Sequence, residues 1–400
     1  MGALDGIKVL ELAEHGFVPS CGAVLADWGA DVVKVERPTG DPLRMIQKAG
    51  LVADTGDFNF IWEQMNRNKR GVSLDLSNPE SRPALAKLVE WADVSITSYL
   101  PAVRRKLHTD VDDFWAINPR LVYARGHGQG QRGEGADEGG FDSVSYWARG
   151  GIAHMLTPPG GPVVMQRAAM GDAPSGALLA GGIAAALVQQ ARTGKGVLVD
   201  TALLGAACWA LSPDLVSTSI LGENPAPMNM NRTISNPLIG TFTTSDGRWV
   251  MFNMMNGDRH WPEVCAALGL DELGSNPAYA DTAGRAEHGN ELRQALVDAV
   301  AALTIDELRK GMNAHDTVWS IYNAPTEVVV DPQVIANGYM PKHPDHDTAR
   351  LVAAPVQHDN VLPTIRRRAP DTGEHTDEIL GSLGFDADEL ARLRSVGAVA

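Results

Sequence analysis

The chain's 400 residues and 42.7 kDa exceed one minimal domain and suggest two or three. Against 34 basic residues stand 49 acidic ones, and the net charge of −15 makes a surface that repels phosphate backbones and anionic lipid, so neither nucleic acid nor a membrane is an expected partner. A hydrophobic share of 44% supports a large core and excludes disorder and fibrous architecture.

The first third alternates strand and helix signals. Ile7-Lys-Val-Leu-Glu-Leu12 reads as a strand, followed by Pro19 and a helical stretch to Trp28. Asp31-Val-Val-Lys-Val-Glu36 is the next strand, closed by Pro38. Val72-Ser-Leu-Asp-Leu76 follows, then a helix from Pro79 to Trp91 capped by Asn78, then Val94-Ser-Ile-Thr97 and Arg120-Leu-Val-Tyr-Ala124. Strands separated by helical patterns of this length imply βαβ units and a parallel sheet, with ligands beyond the carboxyl ends of the strands. Residues 126–140 form a glycine-dense loop, and residues 141–154 look helical. Asp172 opens a long helix of small residues that should be deeply buried, ended by Thr193-Gly-Lys-Gly196, and residues 199–211 read as a second apolar helix. The expected fold class is α/β: a large domain over 1–220, a linker over 221–232, a small α+β domain over 233–324, and a segment over 325–400 that lacks its own core and docks elsewhere.

Several motifs invite stronger readings than they support. Gly128-Gln-Gly-Gln-Arg-Gly133 follows a strand but opens no helix, and no acidic ribose ligand lies between Asp142 and Asp172, so a plain loop is preferred to a dinucleotide site. His343-Pro-Asp-His346 lacks a register that would fix metal geometry and reads as a solvated turn. Cys21, Cys208 and Cys265 lie far apart without a CxxC pair, which argues against disulfides and zinc. Early acidic residues are unlike a signal peptide, and the longest apolar run, residues 177–188, is shorter than the ~20 residues of a membrane span; a soluble, cytoplasmic protein is expected.

Asp172 is the one carboxylate between Asp142 and Asp200, at the start of the small-residue helix. An ordinary N-cap is the plainer reading. The alternative is a carboxylate nucleophile or base at the positive end of a helix, among side chains too small to block a substrate. Basic residues are scarce, and Arg37, Arg44, the Arg67/Lys69/Arg70 group and Arg104-Arg105-Lys106 all fall near strand ends, where a phosphorylated ligand would dock. A solvated charged face is the alternative for each.

Leu4-Asp-Gly-Ile-Lys-Val-Leu-Glu-Leu12, the run from Leu25 to Pro38 with Gly40-Asp41, Asn68-Lys-Arg-Gly-Val-Ser-Leu-Asp-Leu76, Asn118-Pro-Arg-Leu-Val-Tyr123, Thr193-Gly-Lys-Gly196 and Glu374-His-Thr-Asp377 together resemble the class III CoA-transferases, the family that also holds α-methylacyl-CoA racemase. The resemblance covers nearly the whole chain. It implies a Rossmann-like large domain, a smaller α+β domain reached by two linkers, and a homodimer of two interlocked rings. It implies coenzyme A and acyl-CoA as substrates, exchanged with a small carboxylic acid, and no tightly bound cofactor or metal.

Residue by residue, Met170-Gly-Asp172 matches the family nucleophile, an aspartate that attacks the acyl-CoA thioester. Arg37 matches an arginine that meets the nucleotide phosphates, and Leu74, Asp75, Leu76 and Ser77 match the segment along the adenine. Gly16 and Phe17 occupy the first-turn contact, and Ser98-Tyr99 stands where the family carries Asn-Phe. Lys106 matches a basic CoA ligand, with Arg104 or Arg105 able to serve instead, and Asp142 is common to both branches. The racemase alternative needs a histidine in Gly-His-Asp, which here reads Gly140-Phe141-Asp142. His127 and His154 are the nearest replacements, and nothing in the sequence points either inward. A CoA-binding protein without catalysis is the second alternative, opposed by the intact Asp172.

Overall fold

In the computed structural model, which describes residues 2–225 and 234–400, the chain forms two compact units, Met1–Pro227 with Gln333–Ala400, and Met228–Pro332. The first unit opens with β1 (Lys8–Leu12), α1 (Phe17–Asp27), β2 (Asp31–Glu36), α2 (Phe60–Asn66) and β3 (Arg70–Ser73). It continues through α3 (Arg82–Trp91), β4 (Val94–Thr97), α4 (Pro101–Leu107), α5 (Val111–Ile117) and β5 (Val122–His127). Then come α6 (Ile152–Leu156), α7 (Asp172–Thr193), β6 (Val197–Ala202), α8 (Leu203–Ala210) and α9 (Ser212–Leu221).

The six strands form one parallel sheet in the order β3-β2-β1-β4-β5-β6. The order reverses between β1 and β4, and the loops leaving those two strands part there, opening a crevice beyond their carboxyl ends. Both faces are covered, so the strands are apolar on both sides. Val9, Val32, Val94, Ile96, Val122 and Ala124 pack with α1 and α7, while Leu10, Leu12, Val33, Val35, Val72 and Tyr123 pack with α3 and α5. From Gln333 the chain returns to this unit, and Ile379, Leu380, Leu390, Leu393 and Val399 join the second of these cores.

Several sequence expectations shift for physical reasons. The strand expected at 72–76 ends at Ser73, because Asp75 N–H donates to Ala398 O (2.9 Å) and so leaves the ladder. Residues 199–202 are strand and not helix: Val197, Val199 and Thr201 are β-branched and pair with β5, and the helix begins only at Leu203. Residues 141–154 hold a π-helix (Ser143–Ala148) and the short α6, separated by Gly150 and a left-handed Gly151 (φ 84°). The helix expected at 79–91 begins with a 3₁₀ turn (Pro79–Ser81), whose cap is the Asn78 side chain accepting from Glu80 N–H.

The small-residue helix α7 is buried on one face only. A methyl group at Gly176 would overlap Ser20 of α1, so the two backbones touch there, whereas Leu178 and Val188 stay exposed in the single chain. Gly194, left-handed at φ 70°, ends the helix.

The second unit is a separate α+β body. Strands β7 (Ile239–Thr243), β8 (Trp249–Asn253) and β9 (Trp319–Ile321) form an antiparallel sheet, against which Trp261, Leu292, Leu296 and Leu308 of its helices pack. Of the linker expected at 221–232, residues 226–232 lie outside the described residues. No single described helix is long and apolar enough to cross a membrane.

Candidate active site

A cavity of about 510 Å³ opens at the carboxyl ends of β1, β2, β4 and β5. Each wall is a loop that the sheet delivers to the same place. Gly16 and Phe17 come after β1, Arg37 after β2, Leu74, Asp75, Leu76 and Ser77 after β3, and Ser98 and Tyr99 after β4. Asp172, at the start of α7, lines the same cavity. Residues scattered over 157 positions of sequence (16 to 172) thus line one space.

Asp172 is not the helix cap. Gly171 holds the cap position, and Asp172 is the first helical residue with no capping bond from its side chain. Among the described residues no hydrogen bond reaches its carboxylate. Burial pushes its pKa up to about 8, and the neighbouring charge of Asp142 adds to the rise. The helix dipole works the other way, since a helix start favours an anion, but burial dominates. Asp142 holds the turn in place by accepting from Gly171 N–H (3.1 Å). Space for the carboxylate exists only because residue 16 is glycine: a methyl there would overlap Asp172 Oδ2. A carboxylate partly shielded from solvent, with no protein donor among the described residues, is a reactive oxygen nucleophile once ionised.

The basic residues divide sharply. Arg37 lines the cavity, its side chain half exposed and paired with Glu14 (2.6 Å). The others that the sequence offered for phosphate are mostly spent inside the protein. Arg44 pairs with Glu36 (2.7 Å) and lies over the Trp62 ring, Arg67 pairs with Asp27 (2.7 Å), Lys69 with Glu11 (2.8 Å) and Arg70 with Asp31 (2.6 Å). Arg104 is buried, donating to Asp110 (3.1 Å) and to Tyr99 O (2.6 Å). Lys106 is exposed on α4 and, like Arg104 and Asp142, is not part of the cavity wall. Neither a phosphate dock nor a solvated face describes the buried members of this set.

Other details also depart from the sequence expectations. His343 is not solvated: it is buried, its Nε2 3.0 Å from Glu63, with Phe58 edge-on to its ring. His346 does form a turn, accepting from Thr348 and Ala349 N–H. No group of three His, Cys, Asp or Glu among the described residues is placed to hold a metal. The glycine loop is a close approach of two strands of chain: a methyl at Gly128 would strike the Gly140 backbone.

Two histidines, His15 and His127, join the cavity wall beyond the site residues expected from the sequence, where His127 figures only as a stand-in for the racemase histidine. His15, left-handed at φ 67°, donates its N–H to Asp41 and packs edge-on against Phe141, ring centres 5.1 Å apart. His127 is the more consequential. The strand expected to stop at Ala124 runs on to His127, and this extension carries the imidazole into the cavity wall. The alternation Tyr123, Arg125, His127 along one face was the available signal.

The family model for CoA-transferase family III matches residues 4–376. The chain belongs to that family. It is 29% identical over 389 residues to (R)-2-hydroxy-4-methylpentanoate CoA-transferase of Clostridioides difficile, covering 97% of each chain. It is 30% identical over 391 residues to succinyl-CoA:mesaconate CoA-transferase of Haloarcula hispanica, covering 96% of this chain and 97% of the other. A crystal structure of a CaiB/BaiF family protein from Brucella suis superposes with a TM-score of 0.79 at 27% identity, over 96% of this chain and 99% of that one. The protein is therefore a family III CoA-transferase, and CoA thioesters are its substrates.

The raised pKa of Asp172 has a stability consequence. An unfolded aspartate ionises near ~3.9, whereas the folded one holds its proton up to about 8. Ionisation therefore penalises the folded state above pH ~4, increasingly until about 8. Asp172→Asn should raise the melting temperature at pH 8 and lose that advantage at pH 4. Equal shifts at both pH values, read by calorimetry, would contradict the assignment.

Proposed function

We propose that this enzyme transfers CoA from an acyl-CoA to a carboxylic acid through an aspartyl-CoA thioester on Asp172. The observation that carries the reading is the Asp172 carboxylate itself, largely shielded from solvent, free of hydrogen bonds from the described residues and lining a cavity large enough for part of an acyl-CoA. A carboxylate oxygen attacks the thioester carbonyl, the C–S bond breaks, and an acyl-aspartyl anhydride forms with release of CoA thiolate. The thiolate attacks the aspartyl carbonyl and expels the donor acid as its carboxylate. The acceptor carboxylate reverses the two steps and leaves as the new acyl-CoA. Each step exchanges acyl groups of similar energy, so the cycle balances without ATP or a metal.

In this reading CoA lies along Gly16, Phe17, Arg37, Ser98 and Tyr99, with its adenine against Leu74, Asp75, Leu76 and Ser77. Asp75 supports that segment by accepting from both the N–H (2.9 Å) and the hydroxyl (2.6 Å) of Ser77. Lys106 would meet a phosphate from outside the wall, while Arg104 and Asp142 act by holding Tyr99 and Gly171. The acceptor is a small carboxylic acid, as in the names of the relatives. Free Cys21, Cys208 and Cys265 fit a reducing, cytoplasmic setting.

A racemase needs two proton carriers on opposite faces of the α-carbon. Phe141 offers no proton, and His127, although in the wall, is pushed down to about 4 by burial and by the nearby Arg104 and Arg125. It stays neutral at physiological pH and makes a poor acid. A protein that only binds CoA would have no use for a carboxyl group held at a raised pKa in the cavity wall.

We also propose that the working form is a homodimer of interlocked chains. Trp209, Ile220 and Leu221 of the first unit are 72%, 76% and 67% exposed, an apolar surface that a second copy would cover.

Three measurements test this. Incubation with an acyl-CoA followed by hydroxylamine should modify Asp172, located by peptide mass spectrometry; modification elsewhere, or full activity in Asp172→Ala, refutes the mechanism. Arg37→Ala should weaken CoA binding by roughly 1.5–3 kcal/mol, and unchanged affinity by calorimetry would remove Arg37 from the CoA site. Sedimentation should find a dimer even at nanomolar dilution, and a monomer appearing reversibly on dilution counts against interlocked chains.

A further inference from the structure

His127 sits at the carboxyl end of β5, only 5% exposed, in the wall of the cavity that Asp172 also lines. Its tautomer follows from a short chain of hydrogen bonds. Arg104 Nη2 donates to Gln131 Oε1 (3.3 Å). A guanidinium can only donate, so the amide oxygen of Gln131 faces Arg104 and its NH₂ faces the imidazole. That NH₂ contacts His127 Nδ1 and must donate to it. Nδ1 is therefore the bare nitrogen and Nε2 carries the proton. Arg104 is itself fixed by Asp110 and by Tyr99 O, so the whole chain is held from one end.

The Nε2–H at the other end is buried and has no partner among the described residues. Buried donors are rarely left unmade, and those that are ask for a ligand or a water. Leu100, Val103 and Leu107 of the same wall offer no side-chain acceptor. An acyl-CoA brings carbonyl oxygens, one in the thioester and others in the pantetheine amides, and a neutral donor suits a neutral carbonyl.

We propose that His127 Nε2–H donates a hydrogen bond to a carbonyl oxygen of the bound acyl-CoA, with Gln131 and Arg104 as the positioning residues that hold its tautomer. This rests on the reading that acyl-CoA occupies this cavity.

The test compares His127→Phe, which keeps an aromatic ring and removes the donor, with His127→Gln, which restores an amide N–H. Each variant is checked for a cooperative melt and then assayed with a full acyl-CoA and with the N-acetylcysteamine thioester of the same acid. His127→Phe should lower kcat/KM for acyl-CoA by about tenfold or more, and His127→Gln should recover part of the loss. A loss that persists with the truncated thioester places the bond at the thioester carbonyl or at the one amide carbonyl that the truncated compound keeps. A loss confined to the full acyl-CoA places it on a pantetheine amide outside the truncated part. If His127→Phe does not fold, Gln131→Met reads the same chain: with nothing donating to Nδ1 the tautomer is no longer held, and kcat/KM should fall by a smaller factor. Unchanged kcat/KM, or His127→Gln no better than His127→Phe, overturns the proposal. Arg37→Ala separates the two levels. Weakened CoA binding there with no effect at His127 removes this inference alone, and no effect at either removes CoA from the cavity.

Discussion

The site depends on a cluster of charges sealed beneath it. Glu11 at the end of β1 pairs with Lys34 of β2 (3.1 Å) and with Lys69 just before β3 (2.8 Å), and Lys34 also pairs with Asp41 (3.0 Å). All four side chains are buried. Burial alone would drive Lys34 toward its neutral form, but Asp41, Glu11 and Glu36 outweigh it and keep the ammonium charged. Lys69 shares Glu11 with that neighbour, and burial pushes it down to about 8. Lys34 also donates to Ala13 O, while Asp41 accepts from His15 N–H, so the turn carrying Gly16 is tied to the cluster from both sides. Removing one partner of such a set costs ~3–5 kcal/mol, because a bare charge stays behind. The packing above it is equally strict: a methyl at Gly22 of α1 would overlap Glu11.

The cavity wall set by this cluster leaves Asp172 in an opposite condition. Glu11 and Asp41 are surrounded by cations and donors, whereas the carboxylate of Asp172 has neither among the described residues and feels a second carboxylate at Asp142. One set of acids is stabilised to hold the loops, and the other is kept at high energy in the cavity wall. Functional sites commonly carry such local destabilisation, supported by surroundings that over-determine it. Small residues also set the packing of α7: Gly176 lets α1 approach on one side, while Leu178 and Val188 are exposed on the other.

The sheet was readable because valine-rich runs separated by helical patterns have few other solutions. Strands at 31–36 and 94–97 lie where their β-branched residues put them. Errors came where distant chain intervened. Ala398 takes the N–H of Asp75, and pairing with β5 turns residues 199–202 from an apolar helix into a strand. The arginines misled for the same reason. Arg67 and Arg70 look available in sequence, and only the fold brings Asp27 and Asp31 against them.

The sequence by itself determined the α/β class, the family and the singular position of Asp172, because these rest on local periodicity, motif order and residue type. Tertiary structure alone decided which groups are neutral, paired or left bare. Asp172 is not a cap because Gly171 takes that place, and its proton is held by burial that no local pattern encodes. His127 enters the wall because its strand is three residues longer than the apolar run, and its proton sits on Nε2 because Gln131, four residues after it and held by Arg104, 23 residues before it, donates to its other nitrogen. Protonation and hydrogen-bond direction depend on what surrounds a group in space, and that is fixed only when the sheet closes.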